Sequence, residues 1–178
     1  PGTLIMMEEN LPGIGVAAYA LMAYSGMEYG KFQETFFRDV PRTVYDEYKE
    51  RLPENWRRRA EHWFTEQERV VAGAEAWRRG DIEEYGRLSF ESGNSSIYNW
   101  ETGSPELKKL YDIMTQTDGI YGGRFSGAGF KGCCMALFDP KYEEEITAKV
   151  TKEYLKYFPY LEGKYSVHIC ESADGVKI

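Results

Sequence analysis

The most chemically informative part of the sequence is residues 121–137, where five glycines surround one serine between two apolar runs. Gly127, Gly129 and Gly132 leave backbone N–H groups unshielded by side chains and can take left-handed backbone angles. A loop with these two properties can form a concavity that binds an anion, and the hydroxyl of Ser126 would add one more donor. A tight glycine-rich connection between two paired strands is the alternative interpretation of the same residues.

Strands are predicted on both sides of this loop. Residues 122–125 and 133–138 are short runs, and the second is almost entirely apolar, which favours a central place in its sheet. Residues 165–170 alternate apolar and polar side chains, so they predict a third strand with one buried face. Several helices precede the strands and one lies between them, which is typical of an α+β fold with helices packed on an antiparallel sheet.

Helices must position the loop, and apolar residues at helical spacing predict them over much of the chain. The predicted segments are residues 15–24, 41–49, 54–79, a helix that begins at Asp81, 105–114 and 140–157. Residues 91–98 are polar and contain a glycine, so this segment is predicted to be a loop.

The longest predicted helix, residues 54–79, carries several polar groups that need an explanation. Gln67 interrupts an apolar stripe that continues to Trp77, so it is either hydrogen-bonded in the core or close to a ligand. Residues 57–59 are three consecutive arginines, whose side chains fan around a helix, so a solvated face with glutamate partners is favoured over a phosphate site. His62 is interpreted as a structural or surface residue.

Composition bounds the class of protein. The 178 residues are enough for one domain that buries about two-thirds of its unfolded surface, and the net charge of −7 comes from interleaved acidic and basic residues. Such a charge pattern argues against general affinity for nucleic acid or anionic lipid. No apolar run approaches the roughly eighteen residues of a membrane span. The first residues also lack the charged, then apolar, then small-residue order of a secretory signal peptide. We therefore expect a cytoplasmic protein.

The three cysteines do not suggest a metal site. Cys133 and Cys134 are adjacent in a predicted strand, where neighbouring side chains point to opposite faces, and three thiols cannot all pair within one chain. A zinc site that combines one of them with His168 and Cys170 would lack the C-x-x-C spacing that brings two thiolates to one metal. Reduced thiols and no bound metal are therefore predicted.

The order of residues in the glycine-rich stretch resembles a known family. The run Gly-x-x-x-Ser-Gly-Ala-Gly-Phe-x-Gly-Cys, from Gly122 to Cys133, is similar to the third, C-terminal signature of the galactokinase branch of the GHMP small-molecule kinases. Upstream, the segments at residues 57–69, 79–81, 86–92 and 104–107 follow the order and spacing of that branch. The likeness extends from about residue 38 to the C-terminus, whereas residues 1–13 match poorly and are expected to be a leader or an artificial end.

The resemblance implies the C-terminal domain of a sugar-1-kinase, with the split βαβ (ferredoxin-like) fold of that family and extra helices. The two other family signatures and the catalytic Asp and Arg are absent, so this chain is expected to contain no catalytic residue and to be inactive alone. In the intact enzyme ATP and Mg²⁺ would be used, with none expected on this fragment, and the N-terminal half would be the partner. The residues implied near the phosphates are Gly123, Ser126, Gly127, Ala128, Gly129, Phe130, Lys131 and Gly132; Asn94, Ser95 and Ser96 could face the cleft or form a satisfied loop.

One departure from the family pattern bears on the sugar. Lys131 stands where the family usually has glycine, and together with the adjacent cysteines this resembles the galacturonic-acid kinases of the branch. The lysine could reach a uronate or phosphate, or simply be solvated. Galactose or galacturonic acid is therefore the expected substrate. The alternatives are a non-catalytic galactokinase-like sensor of sugar and ATP, and an RNA-binding plait, which the acidic charge and the absence of an aromatic-rich strand disfavour.

Overall fold

The computed structural model describes residues 15–28, 30–31 and 34–171, so the expected leader at residues 1–13 lies outside the described residues. The first helix, α1, covers residues 15–25. The elements that follow are α2 (Arg42–Tyr48), α3 (Glu54–Arg78), α4 (Ile82–Tyr98), α5 (Pro105–Thr115), β1 (Ile120–Phe125), β2 (Cys134–Phe138) and α6 (Glu143–Tyr157). Short 3-10 turns lie at Phe37–Asp39, Lys49–Arg51, Pro140–Tyr142 and Pro159–Leu161.

The helix boundaries follow from capping residues that the sequence contains. The side chain of Asp81 accepts a hydrogen bond from the backbone N–H of Glu84 at 3.1 Å and so starts α4. Ser104 does the same for Leu107 at the start of α5, where Pro105 occupies the first helical position. The helices predicted over residues 15–24, 54–79 and 105–114 are confirmed as α1, α3 and α5.

A first hydrophobic core joins α1, α2 and the N-terminal half of α3. Tyr45 is completely buried and its ring stacks on Phe64, with the ring centroids 4.3 Å apart. Phe37 packs edge-on against the same Phe64 ring at 5.7 Å. The other buried members are Ala17, Ala18, Leu21, Met22, Val40, Leu52 and Ala60. This core holds the N-terminal helices to α3 rather than to the sheet.

A second core lies under the sheet, between α4, α5 and β1. Its fully buried members are Ile97, Leu107, Tyr111 and Phe125. The hydroxyl of Tyr111 donates to the backbone carbonyl of Phe90 at 2.6 Å, so the polar end of this ring is satisfied inside the core. Phe125 is the last residue of β1, and its burial fixes where the glycine-rich loop begins.

Helix α4 and strand β1 approach each other through glycines. A Cβ atom added at Gly86 would lie 2.2 Å from the carbonyl oxygen of Tyr121, and one added at Gly122 would lie 2.1 Å from the carbonyl oxygen of Gly86. No real Cβ atom tolerates such distances from a backbone atom. The absence of side chains at these two positions therefore permits the close packing of the helix on the strand.

The sheet confirms the predicted α+β class but is smaller than the sequence suggested. β1 and β2 pair antiparallel, with Phe125 opposite Cys134, and no other strand pairs with them in the described part of the chain. The prediction that residues 133–138 are central was therefore wrong, and Met135 of β2 is 56% exposed. The predicted strand at residues 165–170 was also wrong: the segment forms no ladder, and its apolar side chains Val167 and Ile169 are about half exposed.

The apolar spacing predicted the wrong buried face for the second half of α3. Gln67 is exposed, and so are Val70 and Trp77 of the predicted stripe. The buried residues there are the small Gly73 and Ala76, which allow α4 to pack against α3. Close packing of two helices through small residues has outweighed burial of the larger apolar side chains. Among the described residues, no helix is long and apolar enough to cross a membrane.

Candidate functional site

The loop between β1 and β2 is fixed at both its start and its centre by backbone hydrogen bonds. The N–H of Ser126 donates to the carbonyl of Cys133 at 2.9 Å, which closes the hairpin. The N–H of Ser104, the residue that caps α5, donates to the carbonyl of Gly129 at 2.7 Å. The loop is therefore tied to the N-terminus of α5, where the helix dipole also favours negative charge.

The backbone N–H groups of residues 127, 128 and 130–132 donate to no acceptor in the described part of the chain, whereas Gly129 closes a turn over residues 127–128 and is buried. The loop residues Gly127, Lys131 and Gly132 are exposed, whereas Ala128 and Phe130 are partly buried. A run of free amide donors beside a helix N-terminus has the features of an anion site. The assignment of this loop to phosphate or substrate remains a prediction.

Gly129 anchors the loop and requires glycine for two reasons. Its φ of +74° lies in the left-handed region, and a Cβ added there would lie 2.3 Å from Cδ2 of Phe125. Because Phe125 is only 2% exposed and belongs to the second core, it has little room to yield. Gly129 therefore sets the curvature of the loop over the Phe125 ring.

An ion-pair network joins β1 to α3 directly before the loop. Arg124, two residues before Ser126, donates from Nη1 to Oε1 of Glu66 at 3.1 Å and to Oγ of Ser92 at 2.6 Å. Ser92 donates to the same Glu66 oxygen at 2.5 Å, and Nε of Arg69 donates to the other carboxylate oxygen at 2.8 Å. We name this set the Glu66 network. It ties β1, α4 and α3 together at one point.

The sequence analysis missed the Glu66 network. Glu66 and Arg69 are three residues apart on α3, a spacing at which helical side chains meet, and this was the only signal that could have been used. Ser92 and Arg124 come from different elements, and only the packing of α4 and β1 brings them to the same carboxylate.

The electrostatics of Glu66 reflect opposed effects. Burial acts to raise the pKa of its carboxyl, but the hydrogen bonds from Ser92 and Arg69 and the charges of Arg69 and Arg124 outweigh it, so the pKa is lowered. Glu66 is therefore ionised at neutral pH and satisfied by both arginines.

The predicted loop at residues 91–98 is the C-terminal half of α4, so that prediction was wrong. Ser95 and Ser96 point into the fold: Oγ of Ser95 lies 2.9 Å from Nδ1 of His62, and Oγ of Ser96 donates to the carbonyl of Ser92 at 2.9 Å. Hydroxyls bonded within the helix pair satisfy the polar groups that suggested a loop. Asn94 is exposed. Contact of these three residues with a substrate remains a prediction.

His62 is held between α3 and α4. Its ring lies against Trp100, with centroids 5.0 Å apart, and Ser95 bonds its Nδ1. Burial lowers the pKa of His62, although the nearby Glu66 acts in the opposite direction. The contacts agree with the structural role that the sequence suggested for this residue.

The arginine triplet divides between surface and interior. Arg57 pairs with Glu50 and Arg58 with Glu54, as expected of a solvated face with glutamate partners. Arg59 departs from that expectation because its side chain is 7% exposed, donates to the carbonyl of Asn99 at 2.6 Å and pairs with Glu101. Its charge is used to fix the segment after α4.

The thiols are reduced in this structure. Cys133 and Cys170 are exposed and Cys134 is partly buried, and none forms a disulfide. Burial raises the pKa of Cys134 to about 12, so this thiol stays protonated. Within the described residues, no group of three or more His, Cys, Asp and Glu side chains is arranged to hold a metal ion.

Comparison with known families gives the fold and the loop their context. Residues 74–156 match the family described as GHMP kinases C terminal, a span that includes α4, α5, both strands and the glycine-rich loop. The chain carries a GHMP kinase C-terminal domain. The family resemblance of the sequence is thereby confirmed.

Curated relatives of this GHMP kinase domain are sugar kinases. The chain is 43% identical over 144 residues to galacturonokinase of Arabidopsis thaliana. The aligned segment covers 79% of this chain and 34% of the relative. It is 32% identical over 121 residues to galactokinase of Bos taurus, covering 68% of this chain and 29% of the relative. The chain thus spans about a third of the length of the curated relatives it matches.

A solved structure supports the fold. The crystal structure of Lactococcus lactis galactokinase complexed with galactose superposes with a TM-score of 0.73, at 22% identity, over 87% of this chain and 38% of that one. The helix-rich fold with an antiparallel hairpin is therefore that of a galactokinase segment. The glycine-rich loop lies within the residues that match the family.

Proposed function

We propose that the chain is the C-terminal part of an ATP-dependent sugar-1-kinase that phosphorylates galactose or galacturonic acid. The observation that supports this most directly is the loop of residues 127–132, which lies in the family segment and in which five amides, at residues 127, 128 and 130–132, donate to no acceptor in the described part of the chain. Phosphoryl transfer depends mainly on positioning and on stabilising charge. A wall of amide donors serves that need.

The proposed division of labour places the chemistry outside this chain. The catalytic groups and the main ATP-binding loop would be supplied by the N-terminal half, together with Mg²⁺ held by the nucleotide. Gly127, Ala128 and Phe130 would offer amide donors to the phosphates and Ser126 a hydroxyl, while the buried Gly129 would hold the curvature of the loop. The isolated chain would then have no turnover of its own. Gly123 lies within β1 and would support the loop through the sheet.

Galacturonic acid is the first substrate to test. The 43% identity to a galacturonokinase exceeds the 32% identity to bovine galactokinase. Lys131 is exposed in the loop and would add a positive charge for the uronate carboxylate.

A cytoplasmic location is part of the proposal. The free thiols fit a reducing compartment, and ATP is also present there.

The experiment uses the full-length protein that contains this chain. ATP consumption and sugar-1-phosphate formation are measured with galacturonic acid, galactose, glucose and glucuronic acid. The proposal expects turnover with galacturonic acid or galactose and none with glucose. Absence of turnover with every sugar would refute it, and saturable sugar and ATP binding without turnover would instead indicate the sensor.

A matched pair of variants tests the loop itself. Ser126→Ala should lower kcat by about tenfold, because one donor to the transferring phosphate is lost. Ser166→Ala, which removes an exposed hydroxyl bonded to His168, should leave kcat unchanged.

Lys131→Ala should raise KM for galacturonic acid and leave KM for galactose unchanged. An equal effect on both sugars would argue against a contact with the uronate.

A further inference from the structure

A groove of about 570 Å³ lies between the C-terminal half of α3 and the N-terminal half of α4. Its lining combines apolar side chains with three arginines, of which Arg78 pairs with Glu75 at the surface. The residues that matter here are Val70, Trp77 and Tyr85 on one side, and Arg69, Arg124 and Glu66 on the other. We call it the α3–α4 groove. Neither the sequence analysis nor the proposed kinase function uses it.

The apolar side of the groove consists of large side chains that have no cover. Val70 is 60% exposed and Trp77 is 52% exposed, which is unusual for two apolar residues one above the other on a helix. The ring of Trp77 meets Tyr85 of α4 edge-on, with centroids 5.0 Å apart, so the aromatic wall is held in place. Such a wall can bind an aromatic or aliphatic group of a ligand.

The polar side of the groove carries more positive than negative charge. Arg69 and Arg124 share the single carboxylate of Glu66, and their side chains are only 14% and 39% exposed. Nη1 of Arg69, and Nε and Nη2 of Arg124, donate to no acceptor among the described residues. One positive charge and three donor nitrogen atoms are therefore left over where the arginine side chains are partly shielded from water.

We propose that the α3–α4 groove binds a small organic anion, a carboxylate or phosphate attached to an aromatic or aliphatic body. The anionic group would accept hydrogen bonds from Arg124 and Arg69, since guanidinium groups match the geometry of both oxyanions. The body would cover Trp77 and Val70. A concave site with an apolar wall and a few convergent polar groups is the usual form of a small-ligand site.

Charge complementarity decides the sign of the ligand. A cation would face the guanidinium groups of Arg69 and Arg124, and the charge of Glu66, the carboxylate between them, is already compensated by these two arginines. A neutral apolar molecule would cover the wall but leave the arginine donors without acceptors. Only a ligand with both parts satisfies both sides.

The test measures binding of defined probes to the chain and to the full-length protein. Phenyl phosphate and phenylacetate carry both parts, benzyl alcohol lacks the charge, and inorganic phosphate lacks the body. Trp77 provides an intrinsic fluorescence signal, and Trp77→Phe identifies its share. Both aromatic anions should bind about tenfold more tightly than benzyl alcohol or inorganic phosphate, with the tighter of the two showing whether the site prefers phosphate or carboxylate.

Two variants separate recognition from folding. Arg124→Gln should weaken binding of phenyl phosphate by about tenfold, whereas Arg57→Gln, on the same helix as Arg69 but outside the groove, should not change it. If Arg124→Gln fails to fold, Ala74→Trp gives the answer, since it fills the groove from an exposed helical position and leaves the Glu66 network intact. It should abolish binding.

Three results would overturn the proposal. The first is equal binding of benzyl alcohol and the two anions, which would reduce the groove to an apolar patch. The second is unchanged affinity in Arg124→Gln or Ala74→Trp. The third is binding by the isolated chain but not by the full-length protein, because another part of the kinase would then fill the groove.

Discussion

Arg124 of β1 donates a hydrogen bond to Glu66 of α3 at 3.1 Å, although the two residues are 58 positions apart in the sequence. The contact joins the strand that leads into the glycine-rich loop to the longest helix of the chain. Ser92 of α4 bonds both partners, so three elements meet at a single carboxylate. The strand that leads into the loop is therefore held by both α3 and α4.

The Glu66 network should contribute strongly to stability. Glu66→Gln keeps the size of the side chain but removes its charge, so two partly buried arginines lose their counter-ion. We expect the free energy of unfolding, measured by urea denaturation at pH 7, to fall by about 2–3 kcal/mol.

Glu68→Gln is the matched control for this prediction. Glu68 is two residues further along α3, on its exposed side, and forms a surface ion pair with Arg42. Its loss should cost less than about 0.5 kcal/mol. Equal effects of the two substitutions would show that the Glu66 network is no stronger than a surface pair.

Two helical glycines should respond in opposite ways to alanine. Gly86→Ala places a Cβ 2.2 Å from the Tyr121 carbonyl oxygen, so α4 must move away from β1, and we expect a loss of about 3 kcal/mol or failure to fold. Gly73→Ala meets only the ring of Tyr85 at 3.7 Å, an ordinary contact. Its better helix propensity should raise stability by about 0.5–1 kcal/mol.

Thermal denaturation followed by circular dichroism measures both glycine variants. A Gly86→Ala protein as stable as the parent chain would mean that the close helix–strand approach is not required. A destabilised Gly73→Ala protein would contradict the ordinary contact distance between an added Cβ and the Tyr85 ring.

Stability should decrease in mild acid because of His62. Burial lowers the pKa of His62 in the folded protein, so below about pH 6.5 the unfolded chain takes up the proton first. Stability is therefore present above that pH and is lost as the pH falls toward the folded-state pKa. Urea midpoints between about pH 7.5 and 5.5 should decline less in His62→Gln than in the parent chain.

An NMR titration of the His62 ring provides the direct check. A pKa in the folded protein below about 6.5 is expected, and a value at or above it would exclude the proposed burial effect. Ser95→Ala removes the hydroxyl beside Nδ1 and tests whether that contact, rather than burial, determines the value.

The phenol of Tyr111, in the second core, should titrate well above the usual range of tyrosine. Burial raises its pKa to about 12, and its hydroxyl donates to the carbonyl of Phe90. Because the pKa is raised, the associated stability is present below about pH 10 and is lost as the pH rises through the folded-state value. Tyr111→Phe should cost about 1 kcal/mol at pH 7, since the Phe90 carbonyl inside α4 loses the phenol as its additional donor.

Tyr98→Phe is the control for Tyr111, because Tyr98 is 61% exposed. It should change the free energy of unfolding by less than about 0.5 kcal/mol. If both substitutions cost the same, the hydrogen bond to Phe90 contributes nothing that solvent could not replace.

Much of the local structure could be predicted from residue patterns. Asp81, Ser104 and Pro105 mark helix starts by chemistry that acts within one turn, and the structure has helices starting there. The hairpin around the glycine-rich loop was found for the same reason, since glycine and alternating apolar residues act locally. The family signature added the expected kind of protein, which the comparisons confirm as a GHMP kinase domain.

The sequence by itself determined the starts of α4 and α5 and the hairpin with its glycine-rich loop, because each depends on neighbours within a few residues. Only the tertiary structure decided which face of α3 is buried, that residues 91–98 are helical, and that 165–170 pair with no strand. It also decided that Arg124, Ser92 and Glu66 meet. These outcomes depend on which elements pack together, and residue spacing along one element carries no information about its partner.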